Sequence, residues 1–536
     1  MLSWIVIGRE KDKIKLVSKN NVDALLPKGS YLTIVKPEEC KSILRVEDSY
    51  QDFPYSPSPM IIDMDLPGLT QDQKCQNIVY AYPIKDLNER TDGLINFIKP
   101  YSCARRSNQE EIDLAMGYEG VNNGPKIFLG TVHGTQNQIL TDSDGNYLTA
   151  SLPEAFYYHQ TLVCGKTGSG KTVCTKYLAQ YFVEKMNGAV LAINVKDTDF
   201  LKMDKPTNIE NLSSKDKENF EKEWFTINEK PHGVSNYYIY YPSTSTPNVN
   251  SSICIPVTLD VRQITPESLN GILQNISELG AQYLPDIFNY WREERGKTKK
   301  DEFKFKSFVN WFKSINMLDK DDGKNQYPTK NKNGDNGMIP LHPSTVNSLL
   351  GSLEKANLFF DQFNNTNVRT LSASDILQAS TLSIIDIATE DTNAKIFGSI
   401  LLRQLLSQIV DKKRKGESNY PVLIIIDEVH QFYNTESSKD ALGDLDTICR
   451  QGRSQKIGVI FSSQNPSDIP NGLSSVINTK IFFKSDSTVS KITGISVTNT
   501  ELENLKTGYA IVNIHNRTQL KVVKFPLSLA YAFEVN

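Results

Sequence analysis

The sequence predicts an α/β core, a parallel sheet with helices on both faces, preceded by an N-terminal β-barrel and interrupted by a helical insertion. Three observations predict it. From about Thr161 apolar strands alternate with helices, and the first 150 residues instead carry short apolar runs between turn-rich polar segments. Between Ser213 and His342 the alternation is broken by charged, helix-forming stretches. The expected domains are therefore residues 1–150 for the barrel, 151–212 and 343–536 for the core with a C-terminal extension, and 213–342 for the inserted helical subdomain.

Barrel strands are expected at Trp4 to Ile7, Tyr31 to Val35, Met60 to Met64, Ile78 to Tyr82, Leu94 to Ile98 and Ile127 to Val132. Asp144-Gly145, within Thr141 to Asn146, supplies a hairpin turn that closes this region. In the core, strand Thr161 to Cys164, helix Lys171 to Met186 and strand Ala189 to Asn194 come first. The insertion holds the helix-forming stretch Asp260 to Arg295 and a segment, Lys320 to Asn336, with too few apolar residues to offset the cost of ordering; it reads as a loop. The rhythm resumes with strand Thr381 to Ile387 and a helix from Ala394 to Val410. Its Ile396, Phe397, Ile400, Leu401, Leu405, Leu406, Ile409 and Val410 share one broad face. Strand Val422 to Ile426, helix Ser438 to Gln451 and strands Ile457 to Ser462 and Lys480 to Phe483 follow.

Composition limits function. The chain has 536 residues, 39% hydrophobic and 23% charged, which excludes a mainly disordered or fibrous protein. Lys plus Arg number 59 against 62 for Asp plus Glu, so no bulk positive field attracts nucleic acid and any such contact must be local. Two basic stretches, Arg292 to Lys306 and Lys412 to Lys415, are candidates, although charge runs on helices are ordinarily solvated faces. Seven cysteines without dense spacing suit a reducing compartment, and no signal peptide or run of about 18 to 20 apolar residues is present, so a cytoplasmic protein without a membrane segment is expected. No C-x-x-C or H-x-x-x-H pair suggests zinc.

Two motifs carry chemistry. Gly165-Lys166-Thr167-Gly168-Ser169-Gly170-Lys171-Thr172 fits G-x-x-x-x-G-K-[ST] between a strand and a helix. Glycines let backbone N–H groups face phosphate oxygens, the helix N-terminus favours anions, Lys171 suits the β and γ phosphates of ATP, and Thr172 suits Mg2+. Val422 to Glu428 is a buried strand ending in two carboxylates, with Asp427 placed for the magnesium shell and Glu428 for deprotonating a water. Arg450 and Arg453 precede the strand that carries Gln464 at its end; arginine suits transition-state charge on phosphate, and glutamine suits sensing it.

The ordered set Gly165 to Thr172, Ile424 to Glu428, Gly452-Arg453 and Ser463 to Ile469 resembles the HerA branch of the HerA/FtsK ATPases. Leu129 to Val132 and the Asp142 to Leu148 hairpin resemble the end of that family's barrel. The resemblance implies a RecA-like P-loop ATPase core in a homohexamer that moves double-stranded DNA, with ATP and Mg2+. It also implies a partner nuclease or NAD-consuming effector, in DNA processing or phage defence. By position it gives Lys171, Asp427 and Glu428 the nucleotide, magnesium and base roles, Arg453 a role in hydrolysis and Gln464 that of a polar sensor. Where many members have Arg-His ahead of the loop, with the arginine reaching a neighbour's site, this chain has His159 and Gln160; His159 and Arg450 are the candidate trans-acting residues. Where many have an Asp-Pro-His-Gly-Glu type sequence, this chain has Asn194 to Asp199, with Lys196 and Asp199 as candidate substitutes. Two other readings remain: an ATP-regulated ring scaffold for an effector enzyme, and a protein-translocating secretion or conjugation ATPase.

Overall fold

The computed structural model describes residues 3–18, 25–35, 41–52, 75–87, 98–115, 118, 125–134, 139–196, 199–272, 277–296, 303–316, 325–363, 366–389, 391–433, 443–485, 499–514 and 520–533. The chain divides into two units, one of residues 1–156, 479–490 and 494–526, the other of residues 157–478, 491–493 and 527–536.

The first unit opens with a closed antiparallel barrel. Strands β1 (Trp4–Glu10), β2 (Lys13–Ser18), β3 (Tyr31–Val35), β4 (Lys41–Asp52), β5 (Gln76–Asp86) and β6 (Cys103–Arg106) close in the order β1-β2-β5-β4-β3-β6. Alternate side chains, among them Trp4, Leu16, Ile34, Leu44, Val79 and Ala104, fill the interior. Register shifts at Ile43/Leu44 and Val46/Asp48 bend the long β4. The expected strand at Met60 to Met64, and all of Leu94 to Ile98 but its last residue, lie outside the described residues.

A short helix, α1 (Gln109–Ala115), is pinned to the barrel by Glu111. Arg105 donates two bonds to its carboxylate at 2.9 and 2.6 Å, Thr33 one at 2.8 Å, and Lys41 lies at 3.1 Å. Burial alone would raise the acid, but these bonds and the Asn108 N–H outweigh it and hold Glu111 at about 2. Because the folded value lies below the ordinary 4.5, this stabilisation is complete above that pH and fades as pH falls towards 2. Glu111→Gln is expected to lower stability at neutral pH by about 3 kcal/mol. In urea unfolding, the gap between wild type and variant should close under acid; a gap independent of pH would contradict the assignment.

The first unit continues through β7 (Ile127–His133) and β8 (Thr149–Leu152). Between them the predicted turn forms: Asp142 accepts from Asp144 N and Asn146 N at 2.9 and 2.8 Å, and Gly145 takes φ 85°.

The second unit is built on parallel strands β9 (Thr161–Cys164), β10 (Ala189–Asn194), β11 (Tyr237–Pro242), β12 (Cys254–Val257), β15 (Thr381–Asp386), β16 (Val422–Asp427) and β17 (Ile457–Ser463). A separate hairpin, β13 (Asn325–Lys330) and β14 (Asn336–Leu341), falls between them in the chain. The sheet order is β12-β11-β15-β10-β16-β17-β9, with parallel pairing throughout. Helix α2 (Lys171–Lys185) follows β9, and the helix Ala394–Arg414 buries the whole apolar face predicted for it.

Two expectations need correction here. Residues 213–342 are not only helical: β11 and β12 lie within them and extend the core sheet, β11 pairing with β15 from Tyr237↔Leu382. The run Tyr237–Pro242 has the aromatic, β-branched content of a strand, but polar turn residues surround it and Pro256 interrupts Cys254–Val257, so the α/β rhythm is masked. Of the expected loop Lys320 to Asn336, residues 320–324 lie outside the described residues, and the rest is not simply a loop either. Asn325 pairs with Leu341 and Lys330 with Asn336, and Tyr327 stacks on Phe312 with centroids 4.5 Å apart. One buried aromatic and a ladder of backbone bonds order a stretch with little other apolar content.

The last strands, β18 (Thr479–Phe482), β19 (Tyr509–Asn513) and β20 (Leu520–Lys524), return to the first unit, where β18-β19-β20-β7-β8 run in order, antiparallel.

Candidate nucleotide site

Parallel strands end together, and the loops beyond their carboxyl ends are where α/β sheets bind ligands. Here Cys164 pairs with Ser463 and Asp427 with Ser462, so Gly165, Asp427, Glu428 and Gln464 emerge side by side. The loop Gly165 to Gly170 turns through left-handed residues Gly168 (φ 75°) and Gly170 (φ 107°), the second serving as N-cap of α2. A side chain at Gly168 would meet nothing within 4 Å, so its glycine answers to backbone geometry rather than space. Lys166, Thr167 and Ser169 complete the turn, and the Ser169 hydroxyl is buried without a hydrogen-bond partner among the described residues.

Lys171 curls back over this loop, donating to Gly165 O at 2.5 Å and Lys166 O at 3.1 Å. Burial pulls its pKa down, opposed by the nearby Asp427 and Glu428. Asp427 is pushed up to about 6, first by burial, with the Ser462 side chain opposing. An anionic carboxylate bonded by the Ser462 side chain and, at 3.1 Å, by the Glu428 N–H suits a hard cation, and with Thr172 at the start of α2 the donors are oxygens, as Mg2+ prefers.

Glu428 takes φ 47°, ψ 57°, a left-handed conformation costly for a non-glycine residue, and its N–H bonds Ser462 O at 2.8 Å. The carboxylate is 5% exposed. Lys196 Nζ lies 2.5 Å from Oε1, and Gln464 Nε2 donates to the same oxygen at 3.0 Å. Burial opposes ionisation, but these two donors outweigh it and hold Glu428 below the usual range.

Arg453, expected to act in hydrolysis, and the trans-acting candidates His159 and Arg450 lie elsewhere. Arg453 sits in the turn Gly452–Gln455 ahead of β17, and His159 just ahead of β9, both at the amino ends of strands whose carboxyl ends form the site. Seven residues of β17 at about 3.3 Å each put roughly 20 Å between the two ends. Arg453 cannot reach the phosphate loop of its own chain. It is exposed, and its guanidinium makes no hydrogen bond or ion pair with any described residue. Arg450 is engaged instead, its Nε donating to Asp446 at 2.8 and 2.9 Å. Gln160 is structural: buried, it accepts from Val459 N at 2.9 Å and donates to Ile448 O at 3.4 Å.

Sequence reasoning gave no role to His430 or, within the motif Ser463 to Ile469, to Asp468. His430 Nδ1 lies 3.7 Å from both Glu428 and Asp468, and the approach of Asp468, 38 positions from His430, leaves no linear signal. Asn194, a predicted strand end and the first residue of the Asn194 to Asp199 segment, donates to the buried Asp386 at 3.0 Å and accepts from Phe200 N at 3.2 Å. In the basic stretches Lys412 pairs with Glu417 at 2.8 Å, Lys415 with Asp411 at 2.7 Å, Lys413 with Tyr420 O, and Arg292 with Ile264 O at 3.3 Å; residues 297–302 lie outside the described residues.

A parallel sheet with a phosphate loop after one strand and paired acids after another defines a RecA-like P-loop ATPase. Residues 154–405 match the family described as "Helicase HerA, central domain", and residues 357–483 match "Helicase HerA-like C-terminal". The chain belongs to the HerA family.

Among curated relatives, the DNA double-strand break repair helicase HerA of Sulfurisphaera tokodaii is 23% identical over 261 residues, 47% of this chain and 48% of that protein. The protein of the same name from Saccharolobus solfataricus is 26% identical over 140 residues, 25% of this chain and 27% of that one. The matched stretch thus spans about half or less of each relative. Among solved structures, VirB4 of Thermoanaerobacter pseudethanolicus aligns at TM-score 0.43 and 13% identity, covering 76% of this chain and 98% of that one. The bacterial conjugative coupling protein TrwB, in its trigonal form with sulphate, aligns at 0.45 and 13%, covering 79% and 94%. Among the described residues no helix is long and apolar enough to cross a membrane.

Proposed function

We propose that this chain hydrolyses ATP to move double-stranded DNA, working as a homohexamer with a partner nuclease or effector enzyme. The observation that carries the reading is the division of the phosphate chemistry between opposite ends of one sheet. Loop, Asp427, Glu428 and Gln464 stand at the carboxyl end; Arg453 and His159 stand at the amino end, where only a neighbouring subunit's nucleotide is within reach. A ring supplies that neighbour to every subunit, and six copies of a few cations around a channel give the salt-sensitive grip that a net charge of -3 does not. The relatives' name as DNA break repair helicases supports DNA as what is moved.

In this reading the loop N–H groups and Lys171 hold the β and γ phosphates, and Thr172 and Asp427 hold Mg2+, which neutralises phosphate charge when bound. Glu428 takes a proton from a water as that oxygen bonds the γ phosphorus. The bond from phosphorus to the bridging oxygen breaks, its electron pair leaving on ADP. Gln464 keeps Glu428 oriented, and the neighbour's Arg453 meets the charge that develops.

Linear duplex DNA is expected to stimulate ATP hydrolysis severalfold in the assembled protein. A hexamer that hydrolyses ATP at one rate with and without duplex would contradict translocation.

A further inference from the structure

We propose that Lys196 is a second phosphate-site cation, resting on Glu428 without nucleotide and transferring to the terminal phosphate of a bound nucleoside triphosphate. The inference rests on the reading of the phosphate loop as a nucleotide site and adds a residue to it.

Lys196 follows β10 directly, at the carboxyl end of the sheet, and its ammonium lies 2.5 Å from Glu428 Oε1. It is also close enough to Asp427 to be drawn to it, and to Lys171 for the two ammonium groups to disfavour each other. With Arg453 and His159 at the other end, Lys171 and Lys196 both converge on the two acids. Both rest on local acceptors, Lys171 on loop carbonyls and Lys196 on Glu428.

The two members of the Lys196 pair differ in freedom. Glu428 is 5% exposed and fixed by its backbone and Gln464, whereas the Lys196 side chain is 45% exposed. The segment bearing it is anchored by Asn194, which is bonded to Asp386 on one side and Phe200 N on the other. A flexible stem on a fixed base can swing a compact charge, which lysine does and arginine's rigid fork does less well. A terminal phosphate carries more negative charge than one carboxylate, so its arrival draws the ammonium away. That transfer leaves Glu428 Oε1 with Gln464 and a lone pair for water, so the cation reaches the phosphate as the base is freed.

The signature is dependence on the terminal phosphate. Binding of ADP and of the β,γ-imido analogue of ATP is measured on full-length wild type, Lys196→Met, Lys196→Gln and Lys196→Arg, with melting temperatures to establish folding. Loss of one charge-assisted contact is expected to weaken the analogue about tenfold in Met and Gln while ADP changes less than about twofold. The turnover number for ATP should fall about a hundredfold in the same variants and recover in part in Arg. Equal weakening of both nucleotides, or no change in either, would overturn the proposal. A wild type that binds nucleotide yet never hydrolyses ATP would instead overturn the ATPase reading, while the binding ratio would still report on Lys196.

Discussion

Glu428→Gln binds ATP and does not turn it over. The substitution keeps size and shape, so the phosphate loop, Lys171 and the Asp427 carboxylate stay in place and nucleotide affinity should change little. What it removes is a proton acceptor. General-base catalysis is worth about 10²- to 10⁴-fold, so hydrolysis should fall by at least about a hundredfold, with the effect in the turnover number rather than in KM. It also removes the charge that holds the Lys196 ammonium. Single-turnover quenching of pre-bound ATP checks this directly: retained, uncleaved ATP is expected, whereas near-normal cleavage would show that Glu428 is not the base.

Lys171→Ala and Arg453→Ala should both abolish ATPase activity, for different reasons. Lys171 lies within its own phosphate loop, so its loss removes charge and contact at the β and γ phosphates; nucleotide affinity itself should fall about tenfold or more. Arg453 lies roughly 20 Å away along β17. Its loss should leave nucleotide binding to an isolated subunit unchanged while hydrolysis in the assembly falls about 10³-fold, the scale of an arginine supplied to a neighbour's γ-phosphate. Equilibrium binding and steady-state hydrolysis, measured side by side on both variants, separate the two.

How much of this was legible in the sequence depended on whether the signal was local. Strands Thr161–Cys164 and Ala189–Asn194 match their predicted bounds because parallel strands covered on both faces appear as unbroken apolar runs. The Asp427-Glu428 pair was legible because two carboxylates end such a run. β11 and β12 were not, because a proline within β12 and the polar turns around both strands hide the α/β rhythm. The Lys196–Glu428 contact joins residues 232 positions apart, so the motif string that suggested Lys196 as a substitute could not say what it touches. Arg453 shows the same limit from the other side. Its motif was visible, but only the strand direction reveals that it stands at the wrong end of its own sheet to serve its own nucleotide.

That division between two ends of one sheet is the centre of the account, and mixing the two inactive variants tests it. In a ring assembled from Lys171→Ala and Arg453→Ala subunits, some boundaries pair an intact phosphate loop from one with an intact Arg453 from the other. The mixture is predicted to recover ATPase activity well above either variant alone, rising to a maximum near equal proportions; a mixture as inactive as its parts would contradict a site shared between neighbours.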